Sequence, residues 1–390
     1  MHKLNVTTCR FSEYSELRIL YNMSKMPHFI FLSFRFIFSV LQIYFFCPSD
    51  LFFLSGTMYM YSLSSMLGYG ALLVSTLVPH ALGAQLSNND NSVKTVFQLN
   101  QNETWFENLI VRPNGQLLAT RIDVPELWSI DPSGNTKNAG SLLYTIPNAT
   151  SLLGITEIAH DVYAVVAGNF SLSAIKSTPG SYAVWTIDVS DKVKEPKATL
   201  LAPIPGGEFL DGMIQFGKDL LLIADAAKGV IWRLNLRTGE SSQALSHPSM
   251  LPADGQPIPV GVNGLKIREN YIYFTSTTQE IFGRIPVDEN ASATGDLEII
   301  ASGVVVDDFL LLEDGTAYIT TNTMNSILKV SPQGSVQLVA GNAFKMTVAG
   351  STAVVMSHDQ STLYVSTSGA LIAPVMCEKT EPGKIVAVSL

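Results

Sequence analysis

A strand–turn–strand pattern recurs about every fifty residues along most of this chain, and this repeat restricts the folds open to it. The first copy, Phe106–Thr120, contains the turn Arg112-Pro113-Asn114-Gly115, in which proline presets φ and glycine permits a positive φ. The most β-like residue of each second strand marks six copies at spacings of 45 to 57 residues: Leu118, Val165, Leu222, Tyr273, Tyr318 and Tyr364. The period predicts six equivalent units.

A third strand follows in every copy and a fourth in most, with almost no helical periodicity. Six such units predict an all-β fold, a six-bladed β-propeller, because a single unit cannot bury its own faces. The last copy ends after its third strand at Leu390, so we expect Val93–Leu99 to complete blade six and close the ring. An open β-sandwich is the alternative, which the regular period disfavours. Tryptophans at one blade position predict packing between blades: Trp128, Trp185 and Trp232.

Residues 1–84 differ from the repeats and are interpreted as a signal peptide or a wrongly assigned N-terminal extension. The apolar run Leu67–Val78 has the length of a signal-peptide core, with cleavage expected near Ala84, although a basic segment before it is missing. The rival interpretation makes Phe29–Phe46 part of a membrane anchor, for which it is short. We expect residues 85–92 to be a linker, residues 93–390 the propeller, and no stable membrane span after processing.

A net charge of −9 without a Lys/Arg cluster argues against a nucleic-acid partner. Only one cysteine, Cys377, lies in the propeller region, so we expect it to be a lone buried thiol. Four sequons lie in expected loops and favour a secreted, glycosylated protein: Asn102, Asn148, Asn169 and Asn290. The sequence does not indicate an oligomeric state.

The innermost strand of each propeller blade lines the central axis. The equivalent starting positions of the six inner strands are Glu107, Gly154, Asp211, Asn263 (which replaces Val262 because blade four is one residue shorter), Asp307 and Ala353. Four of these six are polar although each precedes an apolar strand, so we expect them to meet at one end of the axis. Asp308 is expected to point away, because neighbouring strand residues face opposite sides.

Convergent oxygen ligands suit Ca²⁺ or another divalent cation, and Glu107, Asn263 and Asp307 are the candidate ligands. Crowded carboxylates also raise each other's pKa, which suits a general base. The bland alternative is that these acids only solvate the mouth. Other candidates carry less weight: Asp225, Thr321 and Arg121 could reach the mouth from the side, whereas His160, His247 and His358 are expected in solvent-facing turns or loops.

The segments around Glu107, Val262-Asn263-Gly264-Leu265 and Asp307 resemble the senescence-marker-protein and gluconolactonase propellers. That resemblance implies a divalent metal (Ca²⁺ or Zn²⁺) on the matching Glu, Asn and Asp, a role for Asp307 in lactone hydrolysis, and a polar site that includes Asp211. Leu210, Val262 and Asp308 depart from the residues usual in that family.

Nearly all of residues 93–390 is also similar to a fungal group of propellers from secondary-metabolite gene clusters. The segments that carry this resemblance include WFENLIVRPNGQLLAT, GVNGLKI and VDDFLLLEDGTAYITTN. The group includes hetero-Diels–Alderases, which join a quinone methide to a polyene terpene. The resemblance implies an apolar cavity for small-molecule substrates and no redox cofactor.

The preferred interpretation is a propeller enzyme of secondary metabolism in the secretory pathway, a cycloaddition catalyst with Asp307 and Asp211 as catalytic residues. Its expected substrate contacts are Phe106, Glu107, Leu210, Asn263 and Phe309, with core packing as the alternative for the three apolar side chains. A metal-dependent lactonase or esterase and a non-catalytic binding propeller are the other two interpretations.

Overall fold

The computed structural model describes residues 92–134, 139–190, 195–256 and 258–390, and the backbone of four strands before them. The chain divides into two compact units, Met1–Gly83 and Ala84–Leu390. The first unit contains a four-stranded antiparallel sheet formed by Leu17–Tyr21, Ile30–Ile37, Val40–Phe46 and Gly56–Tyr59. The signal-peptide run Leu67–Val78 and the cleavage site near Ala84 lie outside the described residues. No helix in the described ranges is long and apolar enough to cross a membrane.

The second unit is built from six four-stranded antiparallel blades, and this confirms the all-β, six-bladed propeller. From inner to outer strand, the blades are: blade 1, Phe106–Val111, Leu117–Arg121, Glu126–Ile130 and Gly140–Thr145; blade 2, Ser151–Ala159, Val162–Gly168, Ala183–Asp188 and Lys197–Pro203; blade 3, Leu210–Phe216, Leu220–Asp225, Val230–Asn235 and Ser241–Ser246; blade 4, Val262–Arg268, Tyr271–Ser276, Ile281–Pro286 and Glu298–Ser302; blade 5, Phe309–Leu311, Ala317–Thr320, Ser326–Val330 and Val336–Gly341; blade 6, Ser351–Met356, Thr362–Thr367, Lys384–Ser389 and Val93–Gln98.

The inner strands form a closed ring, since each contacts the next and the inner strand of blade 6 contacts that of blade 1. The outermost strand of blade 6, Val93–Gln98, pairs antiparallel with Lys384–Ser389, which places Phe97 opposite Ile385. Two smaller elements interrupt the pattern. Blade 2 carries an extra hairpin of Phe170–Ser171 and Lys176–Ser177, and a 3₁₀ helix spans Pro248–Met250.

The hydrophobic core is divided among the interfaces between neighbouring blades. Six buried clusters lie between adjacent blades, because each twisted sheet buries a face against the next. The cluster between blades 2 and 3 also includes Trp105 and Ile122, which flank the strands of blade 1. At the interface of blades 6 and 1, the Trp128 ring lies 5.5 Å from the Phe97 ring and 6.3 Å from the Phe106 ring. Trp185 and Trp232 pack into the next two interfaces, so the interblade role of the three tryptophans is confirmed.

A β-bulge sits near the start of the inner strands, where two residues lie opposite one residue of the second strand. Register shifts mark it in blades 1, 2, 3, 4 and 6, and in blade 5 both Asp307 and Asp308 bond the backbone of Thr320. A bulge re-aims the side chains around it and breaks the alternation of faces.

Hydroxyl side chains opposite the bulge hold neighbouring blades together. Thr120 of blade 1 donates to the Leu153 carbonyl of blade 2 at 2.6 Å, and Thr320 of blade 5 donates to the Thr352 carbonyl of blade 6 at 2.7 Å. Thr275 and Ser366 make the equivalent bonds from blade 4 to blade 5 and from blade 6 to blade 1. These bonds fix the spacing of the inner strands.

Glycine permits the closest approach between inner strands. A Cβ atom on Gly154 would lie 2.3 Å from the Asp211 carbonyl oxygen, and one on Gly212 would lie 2.4 Å from that of Asn263. Cys377 differs from its prediction: it is half-buried and disulfide-bonded, so it is not a lone buried thiol.

Candidate functional site

The structure brings together four of the polar residues predicted at the inner-strand starts. We call Glu107, Asp211, Asn263 and Asp307 the polar ring. All four are at least nine-tenths buried. The carboxyl groups of Glu107, Asp211 and Asp307 interact electrostatically: burial raises the pKa of Glu107 and of Asp211, and the charges of neighbouring ring carboxylates raise both further. Asn263 joins them through its hydrogen bond to Asp307. Four different blades therefore contribute to one electrostatic unit.

Asp307 is the member of the polar ring with the best-defined hydrogen bonds. Asn263 donates to Asp307 Oδ1 at 2.7 Å, and Asn322 donates to Asp307 Oδ2 at 2.9 Å. Burial raises the pKa of Asp307 to about 7, with the charge of Asp308 adding to the rise and the two amide donors opposing it. Near neutral pH, this carboxyl group exists in both its protonated and its ionised form.

Glu107 and Asp211 are held in less polar surroundings. Burial is the largest cause of the raised pKa of each carboxyl group, followed by the neighbouring charges. The indole N–H of Trp105 lies near Glu107 and partly offsets the rise in its pKa, although Trp105 Nε1 and Glu107 Oε2 lack the geometry of a full hydrogen bond. A carboxyl group of this kind favours its neutral form, in which it can donate a hydrogen bond.

Asp308 was expected to point away from the polar ring, and that prediction is wrong because the bulge breaks the alternation of faces. Its carboxylate accepts a hydrogen bond from Asn108 of blade 1 at 3.2 Å and a charged one from Lys266 of blade 4 at 2.9 Å. The backbone N–H of Phe309 donates to it as well, at 2.7 Å. The ion pair therefore joins blades 4 and 5, and Asn108 extends it across the ring to blade 1.

The three apolar residues predicted as substrate contacts are fully buried between blades. Phe106 packs between blades 6 and 1, Leu210 between blades 2 and 3, and Phe309 between blades 4 and 5. Their complete burial agrees with the alternative interpretation, in which these side chains form part of the core. A direct contact with substrate stays a prediction.

The residues expected to reach the mouth from the side instead bond to the loops of their own blades. Asp225 accepts from the backbone of Glu208, Phe209 and Lys228 and from the Trp232 indole. Thr321 bonds Ser326, and Arg121 forms ion pairs with Asp123 and Glu126. Each of these side chains organises a loop on the side where the polar ring lies.

The three histidines of the described part of the propeller lie away from the polar ring. His160 and His358 occupy the turns between inner and second strands, as predicted, and the His358 ring bonds the Arg112 carbonyl at 2.9 Å. His247 precedes the 3₁₀ helix and accepts from the backbone of Ser249. An open depression beside His358 is lined by residues of blades 1 and 6 and excludes the polar ring.

Two insertions, visible in the sequence as longer spacings in blades 2 and 6, carry apolar side chains whose packing was not predicted. The blade 2 hairpin supplies Phe170 and Leu172, and the loop before the last strand of the chain supplies Leu371 and Ile372. Together with Phe209 they pack on the buried cluster that contains Trp105 and Tyr182, and we call these five half-buried residues the apolar roof. Only their unusual loop lengths signalled them, because loops carry no periodic pattern.

The polar ring does not fit a divalent metal as it is arranged. Both oxygens of Asp307 face amide N–H donors, from Asn263 and Asn322, where a metal ligand would face the cation. These hydrogen bonds of Asp307 argue against a reaction step at a metal.

Two known proteins are similar to this chain in sequence. No family model matches the chain. A Phoma sp. protein named "Putative hetero-Diels-Alderase" is 26% identical over 295 residues, covering 68% of this chain and 84% of that protein. A Sarocladium schorii protein named "Putative hetero-Diels-Alderase asR5" is 25% identical over 275 residues, covering 62% of this chain and 68% of that protein. The chain resembles proteins named as hetero-Diels–Alderases.

Solved structures support the fold alone. A luciferin-regenerating enzyme matches with a TM-score of 0.55 at 12% identity, over 76% of this chain and 95% of that protein. A gluconolactonase from Xanthomonas campestris matches with a TM-score of 0.52 at 11% identity, over 76% of this chain and 89% of that protein. Propellers this distant in sequence carry different functions on one scaffold.

Proposed function

We propose that this propeller is an enzyme of secondary-metabolite biosynthesis that catalyses a hetero-Diels–Alder cycloaddition between a quinone methide and a polyene terpene. The similarity to two proteins named as hetero-Diels–Alderases carries the proposal. The polar ring beside the apolar roof supports it, since such a reaction involves an apolar polyene and a polar heterodiene oxygen.

The reaction needs no net proton transfer. The four-atom C=C–C=O unit of the quinone methide adds across one C=C bond of the polyene, forming one C–C and one C–O bond while the remaining π electrons shift. Holding both reactants in a near-attack geometry can supply several kcal/mol of the lowered barrier, on the order of 7–11 in favourable cases. A hydrogen bond to the heterodiene oxygen makes the heterodiene more electrophilic.

Asp307, Asp211 and Glu107 are the proposed donors of that hydrogen bond. The pKa of Asp307, about 7, keeps part of that carboxyl group neutral near pH 7, and the raised pKa values of Glu107 and Asp211 favour their neutral forms. A neutral carboxyl group donates its O–H to a carbonyl oxygen. Asn263 and Asn322 orient Asp307 in this arrangement. Rising pH ionises these groups and removes the donors.

Lactone hydrolysis, the competing enzymatic interpretation, has only fold-level similarity behind it. The resemblance to gluconolactonases implies that lactone hydrolysis depends on a metal. The hydrogen bonds of Asp307 to Asn263 and Asn322 do not suit a metal ligand. Metal-dependent hydrolysis of a lactone is therefore the activity that competes with cycloaddition.

The purified full-length chain is incubated with farnesene and an o-quinone methide released in buffer from a 2-(hydroxymethyl)phenol, and the adduct is resolved by chiral chromatography. We expect one enantiomer in excess, formed about 10-fold or more above the buffer rate, and a comparable loss of that excess in Asp307→Ala. Asp359→Asn, which changes an exposed carboxylate in a distant turn, is the matched control. A racemic adduct at the buffer rate, with metal-dependent hydrolysis of a lactone, would show that the proposal is wrong.

A further inference from the structure

Two hydrogen-bond donors beside the polar ring are buried and have no partner. The indole Nε1 of Trp105 and the hydroxyl of Tyr182 are each enclosed by protein and make no hydrogen bond. Trp105 is 7% exposed and Tyr182 is 1% exposed. Buried donors are almost always paired, so two unpaired ones in one cluster need an explanation.

Both donors are fixed by the surrounding structure. The backbone of Trp105 is tied to blade 1, where its N–H donates to Asp123 at 3.1 Å and its carbonyl accepts from Ile122 at 3.3 Å. The Tyr182 ring lies directly over Gly168, where a Cβ atom would come within 2.3 Å of it, and packs edge-on against Phe209 at 6.5 Å. A glycine beneath the ring is what allows Tyr182 to lie there.

The surroundings of the two donors are polar on one side and apolar on the other. Trp105 adjoins Glu107, and Tyr182 is close enough to Asp211 and Asp225 for their charges to raise the pKa of its hydroxyl, after burial as the larger cause. The side chain of Ser177 lies near enough to Tyr182 to oppose that rise, although the pair lacks the geometry of a full hydrogen bond. Residues of the apolar roof pack against the same cluster.

We infer that the Trp105 indole and the Tyr182 hydroxyl bind an oxygen acceptor of an otherwise apolar small molecule, held between the apolar roof and the polar ring. A hydroxyl and an indole N–H both donate to a carbonyl or ether oxygen, and the roof contacts the hydrocarbon part. This inference deepens the proposed function, because it names the residues that recognise the heterodiene oxygen.

The ligand chemistry can be tested without any reaction. The probes are 1-tetralone, a bicyclic ketone, and tetralin, the hydrocarbon of nearly the same shape that lacks the oxygen, with binding to the full chain measured by ligand-observed NMR. We expect 1-tetralone to bind about 5- to 30-fold more tightly than tetralin, as one or two net hydrogen bonds would give.

The variants Trp105→Phe and Tyr182→Phe remove one donor each and keep an aromatic ring. Each is expected to weaken 1-tetralone binding about fivefold and to leave tetralin binding unchanged. Tyr364→Phe, which changes a half-buried tyrosine beside the cluster between blades 6 and 1, is the matched control and should alter neither affinity.

Thermal unfolding is a second measurement. If the two donors only stabilised the fold, removing them would lower the melting temperature, whereas the inference predicts no decrease. Because an unpaired buried donor destabilises the free protein, both Trp105→Phe and Tyr182→Phe should unfold at the same or a higher temperature than the parent chain. Lower melting temperatures with unchanged 1-tetralone affinity would overturn the inference, as would equal binding of the two probes or none.

The outcomes separate this inference from the proposed reaction. If both variants lose 1-tetralone affinity while the parent chain never yields an enantioenriched adduct, the binding site stands and the cycloaddition falls. If the adduct forms normally in both variants and they bind 1-tetralone as the parent chain does, the reaction stands and the assignment of these donors falls.

Discussion

At the scale of single residues, adjacent carboxyl groups in blade 5 have opposite electrostatic settings. Asp307 faces two neutral amides and neighbouring acids, whereas Asp308 is paired with Lys266. Burial without a cation favours a neutral carboxyl group, and a nearby ammonium favours an ionised one. Asp307 is therefore suited to exchange a proton near neutral pH. Asp308 instead links blade 5 to blade 4 through its ion pair with Lys266.

Stability should fall as pH rises, because the pKa of Asp307 in the folded chain, about 7, lies above the ordinary value of an aspartate. Between about pH 4 and pH 7 the folded state holds a proton that the unfolded chain has released, so the free energy of unfolding decreases across that window. Asp307→Asn should remove about 2 kcal/mol of this decrease, as measured by urea unfolding at pH 5 and pH 8.

Asp359→Asn is the control for this measurement. Hydrogen bonds from Ser357 and Ser361 lower the pKa of Asp359 to about 2, so its stabilising contribution is lost only when pH falls toward that value. Between pH 5 and pH 8 the pH dependence should match that of the parent chain. A pH slope that Asp307→Asn leaves unaltered would contradict the assignment of Asp307.

Asp308→Ala should destabilise the propeller strongly, because it leaves Lys266 and Asn108 without their shared acceptor near the axis. Removing one partner of a buried ion pair costs about 3–5 kcal/mol, and partial exposure of Lys266 reduces the expected loss to about 2–4. Urea unfolding measures it. Glu298→Gln, which breaks a more exposed pair with Arg284, should cost less than about 1 kcal/mol, and equal losses would refute the distinction.

At the scale of strands and turns, the hydroxyls opposite the bulges connect blades through single hydrogen bonds. Thr120→Val keeps the shape of the side chain and removes its bonds to the Leu153 carbonyl and the Asn108 N–H. We expect a loss of about 1–3 kcal/mol, because buried backbone groups are left unpaired.

The control for Thr120→Val is Thr186→Val on an exposed strand, where the hydroxyl makes one long bond of 3.3 Å. That variant should stay within about 0.5 kcal/mol of the parent chain. Urea unfolding of both variants measures the difference, and equal stabilities would show that the interblade bonds contribute nothing.

The repeat was visible in sequence because Leu118, Val165 and their counterparts recur at a nearly constant spacing. The bulge was not, since strict alternation of faces is the ordinary expectation for a strand and nothing in the pair Asp307-Asp308 signals an extra residue. Lys266 and Asn108 were missed because their shared partner, Asp308, lies far away in the chain, and periodicity cannot identify it. Asn322, Trp105 and Tyr182 were missed because they lie in segments between strands that carry no periodic pattern.

At the scale of the whole molecule, the exposure of the predicted glycosylation sites is relevant to the predicted secretion. Three of the four predicted glycosylation sites are exposed, Asn102, Asn148 and Asn290, and Asn169 is half-exposed beside the blade 2 hairpin. Glycans at such places would not disturb the blade interfaces, because the clusters that form the core lie between sheets. Secretion and glycosylation stay predictions.

Expression of the full gene in a fungal secretory host should yield extracellular protein whose mass falls on treatment with an endoglycosidase. A glycan adds about 2 kDa or more at each occupied sequon, a shift that gel electrophoresis resolves. Asn102→Gln should remove one step of that shift, and Asn114→Gln, in a turn without a sequon, none. Protein retained in the cell with unchanged mass would count against the secretory assignment.

The bulges make the inner-strand starts a set of equivalent dipeptides. Six pairs occupy the same place in six blades, from Glu107-Asn108 to Thr352-Ala353. The second residue of a pair takes part in blade packing, as Gly154, Gly212 and Asp308 do, whereas the first residues include the members of the polar ring. A lineage could therefore exchange the first residue of one pair at a time and acquire a new binding specificity without rebuilding the blades around it. Propellers of unlike activity would arise from such exchanges as readily as from changes in their loops.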